Sequence, residues 1–433
     1  MSYLKKIIVA GCGHGGLYAA YKLAKSGYDV EVYEKKDRKD LGHDWHDCIY
    51  KPEFDKLGID LPECSEMYPY FDAVYTNPKK TVKLNVKQGG HGNLFNIDRK
   101  YLINKLVDLV ISAGAVIHFG CKVSGAVVRN NAVIGITVDG KEIIGDLVID
   151  ATGIDSPVRQ SLPESFGIMG KIPEKNTFYC YRVYYDNTTG EKYTPQQTIY
   201  FYHCNKAGMD WAVTEEKFID ILVGRFNPIN DDDVIEAIED IRNDIPFMGD
   251  RIIRGGSYER IPLRIPIPLF VWNGYAAVGD SAGMTEPMSG SGINKSICAG
   301  DLLAETVIKA RASKLTLEAL WSYQYNYFKR YGENLFSAEI TRKMLSSLSA
   351  QDIDYFFEKK ILTEKEIGAG GLSGSTPGET LNRIMAFIPK LYLIPALSGI
   401  PYRTAIGERT KKLLPQKYSY SAYMKWRKEY EKI

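Results

Sequence analysis

The sequence predicts an α/β protein in which a Rossmann-like nucleotide-binding domain carries an inserted antiparallel-sheet domain and is followed by a helical region. Three observations predict this class. A glycine-rich turn separates an apolar run from a helical segment within residues 7–25. A second strand, turn and helix follow within residues 276–309. Between them, residues 177–226 alternate aromatic and β-branched side chains, as antiparallel strands do.

The first motif matches a dinucleotide fingerprint. Residues 7–10 form an apolar run, which is typical of a strand buried on both faces of a parallel sheet. After this strand, Gly11 permits a tight turn, Gly13 lets the backbone approach a pyrophosphate, and Gly16 lets the helix pack on the strand. The next strand ends at Glu34, whose carboxylate can accept hydrogen bonds from a ribose. This motif alone does not distinguish FAD from NAD.

The second motif favours FAD. Residues 276–278 form another buried strand, and Gly279 and Asp280 follow at its carboxyl end, where open α/β sheets bind ligands. The Asp280 carboxylate can accept hydrogen bonds from ribityl hydroxyls. The turn-rich stretch 287–292 leads into a helix over 293–309, whose N-terminus can stabilise negative charge on the N1–C2 carbonyl edge of a reduced flavin.

The chain as a whole has the composition of a globular cytoplasmic protein. Its 433 residues are 45% hydrophobic and 25% charged with a net charge of +2, so no basic field indicates nucleic-acid binding. The seven scattered cysteines show no metal-ligand spacing and predict reduced thiols, and the start leaves no room for a signal peptide. Prolines interrupt the apolar stretch 384–401, which favours a covered helical hairpin over a peripheral membrane contact.

These segments predict three domains. Residues 1–160 and 260–310 form a discontinuous FAD-binding domain, residues 161–259 form an antiparallel-sheet substrate domain, and residues 311–433 form a helical C-terminal region. Residues 35–64 are polar and are predicted to form an irregular loop that leaves the first domain.

The motifs resemble the geranylgeranyl reductase family, within the flavoprotein-hydroxylase-like superfamily, over roughly residues 5 to 305. The turn 151–159 closes the first half as it does in that family. The resemblance implies that Arg99 contacts FAD, that Cys48 lies near the flavin, and that Trp211 stands on the substrate strand.

Three positions depart from the related patterns. Thr214 stands near the place of the family's proline after the tryptophan strand, and Ser291 stands where a glutamate is common; these two leave the exact substrate open. Thr152 replaces an aspartate of the hydroxylases and argues against a monooxygenase.

Cys48 is the candidate catalytic residue, because alkene reduction needs hydride on one carbon and a proton on the other. An unreactive packing thiol is the alternative. Trp45 and Trp211 are the candidate substrate-binding residues. The candidate cofactor-binding residues are Gly11, Gly13, Gly15, Gly16, Glu34, Lys35, Arg99, Val123, Gly279, Asp280, Gly290, Gly292 and Ile293. No residue is assigned to a metal.

The predicted function is an FAD-dependent oxidoreductase that reduces or dehydrogenates carbon–carbon bonds of an apolar substrate, with an isoprenoid implied by the resemblance. An FAD monooxygenase of aromatic or polyketide-like compounds and an electron-transfer flavoprotein with a protein partner are the alternatives. NAD(P)H, a ferredoxin and a flavodoxin all remain open as the electron donor.

Overall fold

The computed structural model describes residues 5–61, 66–87, 92–191, 196–310, 314–368 and 394–433. It confirms the predicted α/β class. The strands are β1 (Lys6–Ala10), β2 (Asp29–Tyr33), β3 (His46–Tyr50), β4 (Met67–Pro69), β5 (Ala73–Thr76), β6 (Lys83–Val86), β7 (Leu94–Asp98), β8 (Val116–His118), β9 (Val123–Arg129), β10 (Ala132–Val138), β11 (Lys141–Ile144), β12 (Leu147–Asp150), β13 (Thr177–Asn187), β14 (Gln197–Phe201), β15 (Met209–Thr214), β16 (Phe218–Arg225), β17 (Met248–Pro262), β18 (Val271–Trp272) and β19 (Tyr275–Ala277). The helices are α1 (His14–Lys25), α2 (Lys51–Lys56), α3 (Arg99–Ser112), α4 (Pro157–Gln160), α5 (Asp231–Asp244), α6 (Ile293–Ala310), α7 (Leu317–Leu345), α8 (Ala350–Glu358), α9 (Glu364–Gly368), α10 (Ile394–Leu413) and α11 (Tyr420–Tyr430).

A six-stranded sheet in the order β18-β19-β12-β1-β2-β8 forms the nucleotide-binding domain. Strand β1 pairs in parallel with both β2 and β12, and β12 pairs in parallel with β19. Ile7, Ile8 and Val9 are fully buried, as the apolar run predicts. The carboxyl ends of β1, β12 and β19 therefore meet at one edge, where both sequence motifs lie.

Helices α1 and α6 cross closely on this sheet, because glycines occupy the contact. A Cβ atom on Gly300 would lie 2.1 Å from the carbonyl oxygen of Gly15. A Cβ on Gly16 would lie 2.4 Å from the Ala151 methyl group. Gly16 thus has the predicted packing role, and the Gly15–Gly300 contact joins the two motif helices.

A seven-stranded sheet in the order β17-β13-β16-β15-β14-β5-β6 lies beside the nucleotide-binding domain. Its antiparallel strands β13, β14, β15 and β16 lie within the predicted aromatic-rich segment 177–226, and β17 adds a further strand beyond it. Buried residues of α5 pack on one group of its strands, and those of α8 pack on another. The sheet also takes in residues 73–86, which come from before the predicted segment 161–259. The domain boundaries themselves stay a prediction.

The polar segment 35–64 contains regular structure that its composition did not indicate. It holds β3 and α2, and β3 pairs antiparallel with β7, which also pairs with β4. The partner strand lies some forty residues along the chain, so no local pattern in 35–64 reveals the pairing. The segment 98–102 predicts a helix start with Asp98 as its N-cap, and helix α3 begins there. The Asp98 carboxylate accepts a hydrogen bond of 2.7 Å from the Tyr101 amide.

The C-terminal region is helical, as predicted. Phe328 on α7 packs against Trp426 and Tyr430 on α11, with ring centroids 5.2 and 5.5 Å apart. In the stretch 384–401, residues 384–393 lie outside the described residues. Across the described part of the chain, no helix has both the length and the apolar character needed to cross a bilayer.

The α1–α6 crossing predicts opposite outcomes for two helical glycines. Gly300→Ala introduces a methyl group against the backbone of Gly15, and we expect a loss of roughly 1–3 kcal/mol in the free energy of unfolding. At Gly332 on α7 the nearest atom to an added Cβ is 3.6 Å away, in ordinary contact. Gly332→Ala is the matched control and should gain about 0.5–1 kcal/mol from helix propensity. Urea denaturation of both variants measures this, and equal effects would contradict the described crossing.

Candidate functional site

The glycine turn after β1 lies against the turn after β12. Gly11 has a φ of +86°, so a side chain there is strained, as the predicted tight turn requires. A Cβ atom on Gly11 or Gly13 would lie 2.6 or 2.8 Å from the carbonyl oxygen of Ala151. A glycine is therefore needed at position 13 for two reasons. A side chain there would block the expected pyrophosphate, and it would also collide with the backbone of Ala151.

Ser296 on α6 joins the two motifs. The Gly15 amide donates a hydrogen bond of 3.1 Å to Ser296 Oγ. A Cβ on Gly279 would lie 2.7 Å from the same oxygen. Gly15 and Gly279, predicted independently as cofactor-binding residues, thus lie on either side of one buried hydroxyl.

Glu34 directly follows β2, one residue beyond the strand, and its buried carboxylate holds the glycine turn. Its oxygens accept hydrogen bonds from the Cys12 amide (2.7 Å) and the Lys36 amide (2.9 Å). Because a carboxylate offers about four lone-pair positions, Glu34 retains acceptor capacity for a ribose hydroxyl. Lys35 is exposed beside it, whereas the Val123 side chain is buried in the core at the start of β9.

Two buried nitrogens near the glycine turn have no hydrogen-bond partner among the described residues: His14 Nε2 and Arg99 Nε. Burial, reinforced by the Arg99 charge, lowers the pKa of His14 well below its usual value, so the imidazole is neutral. Burial raises the pKa of Asp280, which accepts a 3.3 Å hydrogen bond from the Thr285 hydroxyl. These two unpartnered nitrogens and the Asp280 carboxyl group form a polar cradle at the sheet edge.

The loop before α6 completes the cradle. Gly290 has a φ of +70°, and a Cβ there would lie 2.7 Å from Ile261 of the seven-stranded sheet. The Gly292 Cβ position lies 3.7 Å from an Asp280 oxygen, so the loop faces Asp280. Ile293 begins α6 and is buried. The first amides of α6 have no partner within the helix and carry the positive end of its dipole.

Asp47 connects this cradle to the seven-stranded sheet. Its carboxylate forms an ion pair with Arg99 and accepts a hydrogen bond of 2.8 Å from Arg182 Nη1 on β13. Burial opposes ionisation of Asp47, but the two guanidinium groups outweigh it and hold its pKa at about 2. Arg182 also donates to both oxygens of Asp220, at 2.9 and 2.6 Å. The segment that carries Asp47 and Cys48 is therefore tied both to the nucleotide-binding domain and to the seven-stranded sheet.

The two predicted substrate-binding tryptophans both contact Arg182. Its guanidinium lies 5.7 Å from the ring centroid of Trp45 and 5.4 Å from that of Trp211. Such cation–π contacts stabilise a buried guanidinium. Trp45 also donates from its indole nitrogen to Asp47, at 3.2 Å. The structure brings the two tryptophans together around a cation, and their role towards a substrate stays a prediction.

Cys48 lines a pocket of about 330 Å³ between β3, α6 and α7. Apolar side chains from Ile49, Leu94 and Leu335 line it together with polar residues that include Glu53, Glu286, Asn294 and Lys295. Burial, reinforced by the Asp47 charge, raises the pKa of the Cys48 thiol to about 12, so the thiol is protonated at neutral pH.

Asn294 fixes the position of Cys48 relative to α6. Its side-chain oxygen accepts from the Tyr50 amide at 3.0 Å, and its nitrogen donates to the Tyr50 carbonyl at 2.9 Å. The two bonds extend the edge of β3 as a neighbouring strand would. They hold β3, and with it Cys48, beside the N-terminus of α6.

A cluster of metal-ligand types lies elsewhere, where the sequence showed no ligand spacing. His203, Cys204 and Asp240 place three ligand atoms within 4.8 Å. The His203 ring bonds to Asp210 and to Asp240, each at 2.7 Å. Burial opposes protonation, but the bond to Asp210 outweighs it and raises the pKa of His203 to about 10. Both ring nitrogens therefore carry protons at neutral pH, which makes this cluster an ion network.

Several residues of the site were missed from the sequence. Asp47 adjoins Cys48 in a strand that was read as loop. Arg182 is the single cation within the aromatic run 178–185, and a lone charge among aromatic residues was a signal that could have marked it as a site residue. Asn294 and Lys295 look like ordinary residues of a helical first turn, so only the packing of β3 reveals their place.

The comparisons with known proteins agree with this geometry. A family model described as an NAD(P)-binding Rossmann-like domain matches residues 9–52. A digeranylgeranylglycerophospholipid reductase from Sulfolobus acidocaldarius is 23% identical, with 99% of this chain and 96% of the relative covered. A reductase of the same name from Methanococcoides burtonii is 25% identical over 80% of this chain and 85% of its own.

Solved structures share the fold. A geranylgeranyl bacteriochlorophyll reductase-like protein from Thermoplasma acidophilum superimposes with a TM-score of 0.74 at 16% identity, covering 92% of this chain and all of its own. A myxobacterial chondrochloren halogenase, described as FAD-dependent, gives 0.62 at 15% identity, covering 88% and 96%. The similarity to named reductases along almost the whole chain, with this shared fold, confirms the predicted resemblance to the geranylgeranyl reductase family of FAD-dependent oxidoreductases.

Proposed function

We propose that the chain is an FAD-dependent reductase, or dehydrogenase, of carbon–carbon bonds in an apolar isoprenoid substrate. The observation that carries the proposal is the position of the Cys48 pocket, beside the polar cradle that both nucleotide motifs build. The named relatives support the substrate class, since two of them are called digeranylgeranylglycerophospholipid reductases.

The residues of the cradle fit FAD. Glu34 has acceptor capacity for the ribose, and the first amides of α1 suit a pyrophosphate. Asp280 suits the ribityl chain, and the N-terminus of α6 suits the flavin carbonyl edge. The unpartnered nitrogens of His14 and Arg99 are buried polar atoms that a bound cofactor would satisfy, and unsatisfied buried polar atoms are rare in proteins. Bound FAD would supply hydride transfer at flavin N5.

The chain's own contribution to such a reaction is to hold a proton and exclude water. With a pKa of about 12, the Cys48 thiol keeps its proton throughout the neutral range. Its apolar neighbours Ile49 and Leu94 suit a hydrocarbon chain and disfavour water. Cys48 is therefore our candidate for the group that presents a proton to the substrate carbon that receives no hydride.

The Thr152 position supports a reductase over a monooxygenase. Its hydroxyl donates to the buried carboxylate of Asp150 at 2.6 Å, and Ser156 and Tyr275 donate to the same carboxylate. Thr152 therefore serves the turn after β12, where hydroxylases place an aspartate for their cofactors. Substrate-stimulated oxygen consumption would favour the monooxygenase instead. The electron donor (NAD(P)H, a ferredoxin or a flavodoxin) and a peripheral membrane contact remain proposals.

The purified protein should be yellow and should contain FAD without a covalent link. Heat or acid denaturation should release the flavin into the supernatant, where absorbance and chromatography identify it. A colourless protein that does not take up added FAD would overturn the proposed function.

Glu34→Ala should weaken FAD binding by about tenfold to a hundredfold, since it removes a charge-assisted hydrogen bond and frees the Cys12 and Lys36 amides. Glu31→Ala is the matched control, because Glu31 lies on β2, three residues before Glu34, and pairs with Lys6 at 2.7 Å. Titration of the apoproteins with FAD, followed by flavin fluorescence, measures both. Equal affinity in the two variants would contradict the role of Glu34.

Cys48→Ala should retain FAD and the fold but lose most turnover, and Cys48→Ser should retain a fraction, because a hydroxyl has similar size but donates a proton poorly. Cys121→Ala is the matched control, since this thiol is also half-buried but lies between β8 and β9 and does not line the Cys48 pocket. The measurement is single-turnover oxidation of the reduced flavin by substrate. Equal rates in Cys48→Ala and the parent would remove Cys48 from the mechanism.

A further inference from the structure

The glycine turn after β1 ends in a buried histidine with an unsatisfied ring nitrogen. His14 is the first residue of α1, directly after the N-cap Gly13, and it is 8% exposed. Its Nε2 atom is enclosed and has no hydrogen-bond partner among the residues that the structure describes. Buried polar atoms without partners are rare in proteins, so this nitrogen calls for a partner from outside the chain.

Some backbone amides of the same turn already have partners. The Cys12 amide donates to Glu34 at 2.7 Å, and the Gly15 amide donates to Ser296 at 3.1 Å. The first turn of α1 contains no acidic residue, so no carboxylate on that turn repels an anion. With two amides engaged, a pyrophosphate at this helix N-terminus gains from a further donor, and the His14 ring lies on the first turn.

The charged groups nearest to His14 are already paired within the protein. The Arg99 guanidinium forms an ion pair with Asp47. His43 Nδ1 lies 3.2 Å from a Glu259 carboxylate oxygen. Neither Arg99 nor His43 therefore brings a full unpaired charge to the turn, and a proton on His14 would supply one.

In the protein alone, the His14 imidazole is neutral. Burial lowers its pKa most, the Arg99 and His43 charges lower it further, and the Asp47 carboxylate opposes them. Asp280, the carboxyl group of the cradle, faces the same Arg99 and His43 charges, and burial raises its pKa. An anion against the His14 ring would reverse the balance, because a nearby negative charge favours the protonated imidazole.

We infer that the His14 side chain binds the pyrophosphate of FAD through Nε2, and that the imidazole takes up a proton when FAD binds. The inference rests on the proposed function and adds a binding residue to the glycine turn. The proton comes from solvent and stays on the ring, so that a neutral imidazole and a pyrophosphate anion become an ion pair. FAD affinity should therefore fall as pH rises, by about tenfold per pH unit over the range where free His14 is neutral and bound His14 is protonated.

Calorimetric titration of the apoprotein with FAD tests the proton uptake. Titrations near neutral pH, in two phosphate-free buffers that differ in ionisation enthalpy, give the number of protons taken up. A pyrophosphate diester binds no proton in this range, so an uptake comes from the protein. We expect an uptake of about one proton in the parent and none in His14→Ala or His14→Gln.

The FAD affinities of the two variants should differ. His14→Ala should weaken FAD binding by about tenfold to a hundredfold, since it removes a charge-assisted hydrogen bond. His14→Gln should restore part of this loss, because glutamine offers a neutral N–H donor. Equal affinities and equal proton uptake in the parent and in both variants would overturn the inference.

His43→Gln is the matched control, because it removes the neighbouring imidazole and leaves His14 in place. Its proton uptake and its FAD affinity should stay close to those of the parent. An uptake that is lost in His43→Gln and retained in His14→Ala would belong to the other imidazole and would overturn the inference.

Two fragments of the cofactor locate the contact. ADP-ribose carries the pyrophosphate without the flavin, and riboflavin carries the flavin without the pyrophosphate. We expect ADP-ribose binding to take up the proton in the parent and not in His14→Ala, and riboflavin binding to take up none. Uptake with riboflavin and not with ADP-ribose would place the ring against the flavin and overturn the pyrophosphate contact.

The two proposals fail in different ways. Circular dichroism of each apoprotein verifies its fold, and a folded parent that binds no FAD would contradict the proposed function. A parent that binds FAD without proton uptake, or with an uptake that His14→Ala retains, would contradict the role of His14 alone.

Discussion

The site depends on one carboxylate. Asp47 pairs with Arg99 at the start of α3 and with Arg182 on β13, so a single group ties the nucleotide-binding domain to the seven-stranded sheet. Without Asp47, Arg99 would lose this ion pair, whereas Arg182 would keep its pairing with Asp220. Arg254 forms a second tie of the same kind, to Asp44 and Asp98. Cys48 follows Asp47 directly, so its position is set by contacts with both domains.

The edge of the six-stranded sheet where both sequence motifs lie depends instead on glycines, which have no side chains. Gly11 and Gly13 lie against the backbone of the turn after β12, and Gly15 lies against Gly300 of α6. These contacts within the protein bring the turn, the two helices and the sheet edge together without a cofactor. The fingerprint glycines are thus as much a requirement of the fold as of the ligand. This explains why the motif predicts the architecture so well and the cofactor less specifically.

Sequence reasoning succeeded where a signal is local. The apolar strands, the glycine turns and the Asp98 cap each follow from neighbouring residues, and the structure has all of them. It failed for β3, whose partner β7 lies some forty residues away, and whose polar composition resembles a loop. The link from Asp47 to Arg182 spans 135 positions, and no pattern within either segment indicates the other. Lys295 looks like any helical lysine until β3 and α7 enclose it.

The placement of charge around Cys48 has a chemical consequence. Asp47 is ionised and faces Arg99 and Arg182, so its negative charge stabilises those cations. Burial, reinforced by this charge, raises the pKa of the adjoining thiol. A weakly acidic thiol resists premature loss of its proton but is a reluctant donor, so its transfer depends on a substrate carbon held close to sulfur. A chain of methyl-branched hydrocarbon has no polar group with which to set that register. The shape of the pocket therefore has to set it, and Ile49, Leu94 and Leu335 are the apolar side chains that line the pocket with Cys48.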